Sequence, residues 1–279
     1  MKHSRRSLLL VRGLMAITLT ALASALFAAG SAAMARGVIT GTGQEHTVTS
    51  KNQTLKGVFA GITVAVDNAH VNLSGATVDC SLGNTNFGIG IHLTNRSGVH
   101  INGGTVKNCN VGVLLGDPFA NANGGSNNHI NGVAVRDAIA GGGTSFDGDG
   151  IVINNGSNNR ANNNEITNVG GAFLSAGMRL WNGGGNDVIG NTINGLQAGG
   201  IGAAGLLLQG ADATKAHGNF AFSRPDGVGI WAQLGALDNF LTGNRALGNG
   251  TDLQDDNANC DNNTWRGNTF GSSNAACIQ

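Results

Sequence analysis

Apolar residues at alternate positions after a glycine recur along most of the chain. The openings GIGIHL, GVLLGD, GIVINN, GMRLWN, GLLLQG and GVGIWA begin at Gly88, Gly112, Gly150, Gly177, Gly205 and Gly227. The residues one and three positions after each of these glycines are all apolar. A period of two predicts strands with one buried face, and separations of 22 to 38 residues between openings predict a repeat array.

A second, polar repeat follows the apolar openings from Gly150 onward. It is a turn of the form x-h-x-G-N-x-h, where h is apolar, and successive copies are 24 to 28 residues apart. Its asparagines are Asn164, Asn191, Asn219, Asn244 and Asn268. Asparagine tolerates left-handed backbone, and stacked amides hydrogen-bond to one another and to turn backbone. These residues are therefore predicted to form a structural ladder.

The repeats resemble those of right-handed parallel β-helix proteins of the pectin-lyase-like class. The resemblance rests on coils of about two dozen residues, the Gly-aliphatic openings and the Asn ladder, and it covers nearly everything after residue 56. It implies an all-β, single-domain, right-handed parallel β-helix of about seven to eight coils. It also implies a secreted protein whose elongated face suits a polysaccharide.

The N-terminal segment has the pattern of an export signal. Basic residues precede an apolar run over 13–30, and Ala33-Met34-Ala35 offers a small-x-small cleavage site. We expect 1–35 to be a signal peptide, 36–56 an N-terminal cap, and 57–279 the β-helix with a disulfide-clasped C-terminal end. An uncleaved membrane anchor is the alternative, but the run is short for a span. The mature protein is expected to be secreted or periplasmic, without a membrane segment.

Composition narrows the classes of partner. The chain has 16 basic and 16 acidic residues, so no net charge attracts it to nucleic acid. The 47 glycines lack a three-residue period and are mixed with aliphatic residues, which excludes collagen and argues against disorder.

The four cysteines are predicted to form two disulfides in an oxidising compartment. Cys80 and Cys109 occupy near-equivalent places in neighbouring coils, and their bond would join one coil to the next. Cys260 and Cys277 would clasp the C-terminal end. Free or metal-binding thiols are the alternative, although no metal-ligand spacing is present.

The outward positions of the strands contain candidate binding residues. Asn154, Trp181, Gln209 and Trp231 each stand four residues after an opening glycine. Trp181 and Trp231 would lie two coils apart, about 10 Å, on one strip. Sugar rings stack on such aromatic rings, so we expect this strip to bind a polysaccharide. Loops of adjacent coils covering the two rings are the alternative.

Candidate catalytic residues are Asp147, Asp149 and Arg179. Removal of the proton alpha to a uronate carboxylate requires that carboxylate to be neutralised by Arg, Lys or Ca²⁺, so Ca²⁺ is a candidate cofactor. Long loops of the coil from Gly112 are expected to overhang these residues. The predicted function is a secreted carbohydrate-interacting protein, with polyuronate lyase activity the enzymatic reading. The alternatives are a surface ion pair at Asp149 and Arg179, and a non-catalytic surface or matrix-binding solenoid.

Overall fold

Every strand pair runs parallel, and each strand pairs with its equivalent one coil on. The computed structural model describes residues 37–85, 87–117, 123–139, 148–171, 174–197, 202–222 and 224–279. The protein is all-β, a parallel β-solenoid of about seven turns, which confirms the predicted architecture. Helical structure in the described residues is limited to short 3-10 turns at Cys80–Leu82 and Ala258–Cys260.

The strands form three series, which we call walls. The long-strand wall is a nine-stranded sheet of β2 (Glu45–Val48), β4 (Gly61–Val64), β7 (Ile89–Leu93), β10 (Val111–Leu115), β13 (Asp149–Asn154), β16 (Leu174–Trp181), β19 (Gly202–Gln209), β22 (Val228–Ala232) and β25 (Thr251–Asp255).

The other two walls belong to one 17-stranded sheet. The histidine wall consists of β5 (His70–Asn72), β8 (His100–Asn102), β11 (His129–Asn131), β14 (Arg160–Asn162), β17 (Asp187–Ile189), β20 (Lys215–His217), β23 (Phe240–Thr242) and β26 (Thr264–Arg266). The third wall consists of β6 (Ala76–Asp79), β9 (Thr105–Lys107), β12 (Ala134–Arg136), β15 (Glu165–Thr167), β18 (Thr192–Asn194), β21 (Phe220–Phe222) and β24 (Arg245–Ala246). Strand β3 (Asn52–Phe59) pairs with both β5 and β6, and β1 (Gly37–Thr42) pairs with β3.

The apolar openings stack in the interior as predicted. Ile151 pairs with Met178, and Met178 pairs with Leu206, so the three side chains form one inward row. All three are fully buried in a single core cluster that runs through the coils. No coil buries its own apolar face, and stacking on the next coil supplies the core.

The register differs from the prediction in two coils. Ile91, not Ile89, pairs with Val113, and Leu206 pairs with Ile230, not Val228. All of the twelve predicted core positions except Ile89 and Val228 belong to the main core. Ile89 packs in a separate cluster. Each of these segments has two glycines two positions apart, Gly88 and Gly90 in one and Gly227 and Gly229 in the other. The alternating inward-facing side chains follow the second glycine of each pair.

A row of glycines marks this point in the coils from Gly90 to Gly229 because nothing larger fits. A Cβ added to Gly177 would lie 2.3 Å from Ile193 Cγ2 and 2.8 Å from the Gly205 carbonyl oxygen. Gly90 and Gly229 meet neighbours equally closely, which explains why they, and not Gly88 and Gly227, align with the row.

The predicted Asn ladder is present, and a second ladder accompanies it. Asn191 Oδ1 accepts hydrogen bonds from the backbone N–H and the Nδ2 of Asn164, both at 2.9 Å, and the pattern repeats towards Asn268. The second ladder stands five residues earlier in the coil and consists of Asn128, Asn159, Asn186, Asn239 and Asn263. Thr214 occupies the position between Asn186 and Asn239 and takes part only through its backbone N–H. Both ladders are buried, so they satisfy backbone N–H groups that water cannot reach.

Both predicted disulfides form. Cys80 is bonded to Cys109 and Cys260 to Cys277. The predicted cap, 36–56, contains β1, β2 and the start of β3, and β1 lies at one end of its sheet. Among the described residues, no helix has the length and apolarity needed to cross a membrane. The predicted signal peptide lies outside those residues.

Candidate functional site

Asp149 and Arg179 meet on the outer side of the long-strand wall. Arg179 Nε lies 3.1 Å from Asp149 Oδ2, and Arg179 Nη2 lies 3.2 Å from Asp149 Oδ1. Asp149 Oδ1 also accepts the Ala176 backbone N–H at 2.7 Å, and Arg179 Nη2 donates to the Leu174 carbonyl. Each residue is only 4% exposed. The ion pair is buried and links β13 to β16 through a hydrogen bond from Nη2 and a charge–charge contact at Nε.

The outer face of this wall carries an apolar layer of its own. Ile89, Val111, Leu114 and Val152 form one buried cluster. Ala176, Ala204 and Leu207 form another, against which Leu174 and Trp231 pack. The outer face of this wall is therefore covered over much of its length. The insertions expected to overhang it lie largely outside the described residues, as does Asp147.

His92 also lies on this face, although it is not one of the predicted site residues. It is in register with Leu114, and its Nε2 lies 2.8 Å from Thr94 Oγ1 and 3.1 Å from the Gly116 carbonyl oxygen. Burial lowers the pKa of His92, against the opposing effects of the Gly116 carbonyl and Asp117. The imidazole is therefore held in the neutral form near pH 7 and is fixed by its partners.

The open part of the strip lies at the end of the strands, around Trp181. Asn154, Trp181 and Gln209 are paired in register, which places the indole between two amides. Gln233 follows Ala232, the partner of Leu208, and so continues this row by one coil. We call these four residues the Trp181 row. At the usual strand separation it extends over about 14 Å parallel to the solenoid axis.

Two amides of the Trp181 row keep hydrogen-bonding groups unused. Asn154 Nδ2 and Gln209 Oε1 are buried atoms without a hydrogen-bond partner among the described residues. Asn154 is 2% exposed, whereas Trp181 and Gln209 are half-buried. An unpaired buried polar atom costs about 1–3 kcal/mol unless a ligand or water satisfies it. The row therefore places one unsatisfied donor and one unsatisfied acceptor, both buried, on either side of a half-buried ring.

Arg179 supports the Trp181 ring from behind. The two residues point to the same face, and Arg179 Cζ lies 6.0 Å from the centre of the Trp181 ring. The guanidinium is itself fixed by Asp149. The ion pair therefore helps to hold the indole in one orientation, which reduces the entropy lost when a ligand stacks on it.

Trp231 does not belong to the row in which the sequence placed it. It pairs with Leu207 and Gln254, two positions earlier than expected relative to the neighbouring coil. Its indole Nε1 donates to Asp256 Oδ2 at 2.7 Å, and its ring packs on the apolar layer. Gln233 takes the place expected for Trp231. The spacing to the ladder could have shown this: 14 residues separate Gly177 from Asn191, but 17 separate Gly227 from Asn244.

The described residues contain no cluster of three or more His, Cys, Asp or Glu side chains suited to a metal ion. The pairing of Asp149 with Arg179 also leaves neither group directed at a ligand in the way that uronate binding requires. Their catalytic roles stay predictions, and so does the use of Ca²⁺.

No model of a known protein family matches the sequence, and no curated protein matches it either. Among solved structures, the chain is similar to the A-module of the mannuronan C-5 epimerase AlgE6 of Azotobacter vinelandii. The two are 14% identical, the match covers 92% of this chain and 89% of that one, and the TM-score is 0.38. A superposition this loose carries no information on substrate or activity.

Proposed function

We propose that the protein is a secreted carbohydrate-binding solenoid whose Trp181 row holds a polysaccharide segment lying along the solenoid axis. The observation that carries this proposal is the in-register order of amide, indole, amide at Asn154, Trp181 and Gln209. A sugar ring presents an apolar face to an aromatic ring and hydroxyls at its edge. An indole set between two amide side chains matches that distribution.

The disulfides fit a location outside the reducing cytoplasm. Both bonds are formed, and no free cysteine is present among the described residues. Such bonds persist in secreted and periplasmic proteins, where polysaccharides of cell surfaces and matrices are found. Export is therefore part of the proposal.

The buried ion pair favours binding over lyase chemistry. A polyuronate lyase needs a cation free for the substrate carboxylate and a base free for the alpha proton. Arg179 and Asp149 satisfy each other instead and are shielded from solvent. Lyase activity stays the alternative hypothesis, because the third candidate catalytic residue, Asp147, lies outside the described residues.

The test is a calorimetric titration of the mature protein with oligosaccharides of neutral and uronate type, with and without Ca²⁺. The Trp181→Ala variant should bind the recognised oligosaccharide roughly 5- to 150-fold more weakly than the native protein, because it loses the stacking surface. Phe220→Ala is the matched control. It removes an aromatic ring that is 40% exposed on the third wall, outside the Trp181 row, and should leave the affinity unchanged.

The results distinguish saccharide binding at the Trp181 row from binding elsewhere and from lyase activity. Equal loss of affinity in both variants, or unchanged affinity in Trp181→Ala, would contradict the proposed site. Ultraviolet absorbance of an unsaturated product, formed by the native protein and lost in Asp149→Asn under conditions in which that variant is still folded, would replace binding with lyase activity.

A further inference from the structure

Three histidines stack on the outside of the histidine wall. His70, His100 and His129 occupy the same position in successive coils. The ring centres of His70 and His100 are 4.5 Å apart with the planes 15° from parallel, and those of His100 and His129 are 4.4 Å apart. His70 is exposed and the other two are half-buried. The stack is therefore accessible to solvent and to a large ligand.

The row continues with charged residues in the same register. His129 pairs with Arg160, Arg160 with Asp187, and Asp187 with Lys215. Arg160 contacts Asp187 Oδ2 through Nη2 at 2.8 Å and through Nε at 3.2 Å. Asp187 is the one carboxylate among these four positions, and Arg160 already neutralises its charge.

The charged groups around the stack come from few elements. Arg160 on β14, Asp187 on β17 and Lys215 on β20 face it from the C-terminal side. On the N-terminal side the row begins at Asn52 of β3, with Lys51 before it and Asp67 in the segment leading to β5. Asp67 is engaged by the Ser97 backbone N–H at 2.9 Å.

A row of amides runs beside the histidines. Asn72, Asn102, Asn131 and Asn162 are paired in register two residues further along the same strands. They stand about 7 Å from the histidine row. Asn72 and Asn102 also line a shallow depression of about 200 Å³ together with His70. Amides of this kind hydrogen-bond to hydroxyls, which polysaccharides carry and simple polyanions lack.

We propose that the histidine wall is a second binding surface, which holds an anionic polysaccharide in mildly acidic solution and releases it near neutral pH. Protonation of the three histidines would place one positive charge on each of three successive coils, in line with Arg160. Neighbouring imidazolium rings would then be in contact and would repel each other. A linear polyanion supplies negative groups along the same line and relieves their repulsion.

The protonation equilibrium makes the surface respond to pH. Burial lowers the pKa of His100, and the neighbouring His129 and His70 lower it further. Burial also lowers the pKa of His129, Arg160 adds to this, and Asp187 opposes it. His100 and His129 are therefore uncharged near pH 7 and gain charge below the usual pKa of histidine. By linkage, a bound polyanion must raise these pKa values as much as protonation strengthens its binding.

Dextran sulfate is a suitable probe because its sulfate charge is constant over this range, and uncharged dextran is its control. At constant ionic strength, the native protein should bind dextran sulfate at least about ten-fold more tightly near pH 5 than near pH 8. The triple variant His70→Gln, His100→Gln, His129→Gln should lose that difference. His217→Gln, which removes a histidine of the same wall outside the stack, should keep it.

Several results would overturn the proposal. These are equal affinity at both pH values in the native protein, a pH difference retained by the triple variant, and equally tight binding of plain dextran. Tighter binding of duplex DNA of matched charge would assign the surface to another class of ligand. If the triple variant does not fold, His100→Gln alone should reduce the difference, and its failure to do so counts against the proposal. The difference in dextran sulfate affinity between pH 5 and pH 8 should be retained in Trp181→Ala, so the two surfaces are tested separately.

Discussion

Asp149 and Arg179, from adjacent coils, form an ion pair with each partner 4% exposed beneath the Trp181 ring. Removing one charge from such a pair leaves the other buried and uncompensated. We expect Arg179→Ala to lower the free energy of unfolding by about 3–5 kcal/mol. The double variant Asp149→Asn, Arg179→Met should lose less than Arg179→Ala, because no isolated charge remains. Urea unfolding measures both.

Arg160→Ala is the control for this prediction. It breaks an ion pair with Asp187 in which the Arg160 side chain is 45% exposed, so the cost should stay below about 1 kcal/mol. If Arg179→Ala lowered the free energy of unfolding no more than Arg160→Ala does, the buried pair would not support the fold as described.

The Asn ladder should be far more sensitive than other asparagines. Asn191 accepts two hydrogen bonds from Asn164 and donates to the Ala161 carbonyl and to Asn219 Oδ1, all at 2.9 Å. Asn191→Ala leaves several buried groups unsatisfied and should cost about 3–5 kcal/mol in chemical unfolding. Asn194→Ala, at an exposed position nearby, should cost less than about 0.5 kcal/mol. Similar costs for the two would show that the ladder does not stabilise the coil.

Asp79 should make stability depend on pH in the acid range. Burial alone would raise the pKa of Asp79, but hydrogen bonds from Ser81, Asn108 and Lys107 outweigh it and lower the pKa from 3.8 to about 2. A lowered pKa stabilises the fold above the unfolded value, and this contribution is lost as pH falls from about 4 towards 2.

The difference in unfolding free energy between the native protein and Asp79→Asn measures this effect. Its pH-dependent part should be on the order of 2 kcal/mol at neutral pH and should vanish near pH 2. A difference that is the same at both pH values would mean that the carboxylate is not stabilised in the folded state.

The fold could be read from the sequence because burial repeats along it. Ile151, Met178 and Leu206 carry a period of two and a spacing of one coil, and each coil needs the next to cover them. Where a segment contained two glycines, as before Ile91 and Ile230, periodicity alone did not select between registers. Steric contact with the next coil decided it, and contacts between coils are not visible in a single segment.

The candidate site was harder to predict for the same reason. Asn154, Trp181 and Gln209 were placed correctly because their coils have the regular opening. Trp231 was placed in the wrong row, and Gln233 was missed, because their coil is shifted by two residues. The partnership of Arg179 with Asp149 also depends on burial beneath the apolar layer, which alternation does not reveal.

The indole N–H signals of the three tryptophans provide the most direct test of saccharide binding at the Trp181 row. Trp231 and Trp265 donate their indole N–H groups to Asp256 and Asp255, whereas that of Trp181 makes no hydrogen bond to the described residues. A heteronuclear NMR titration of the mature protein with the recognised oligosaccharide should shift the Trp181 indole signal, identified by its loss in Trp181→Phe, and leave the other two in place. Saturable binding with an unchanged Trp181 signal would contradict the proposed site.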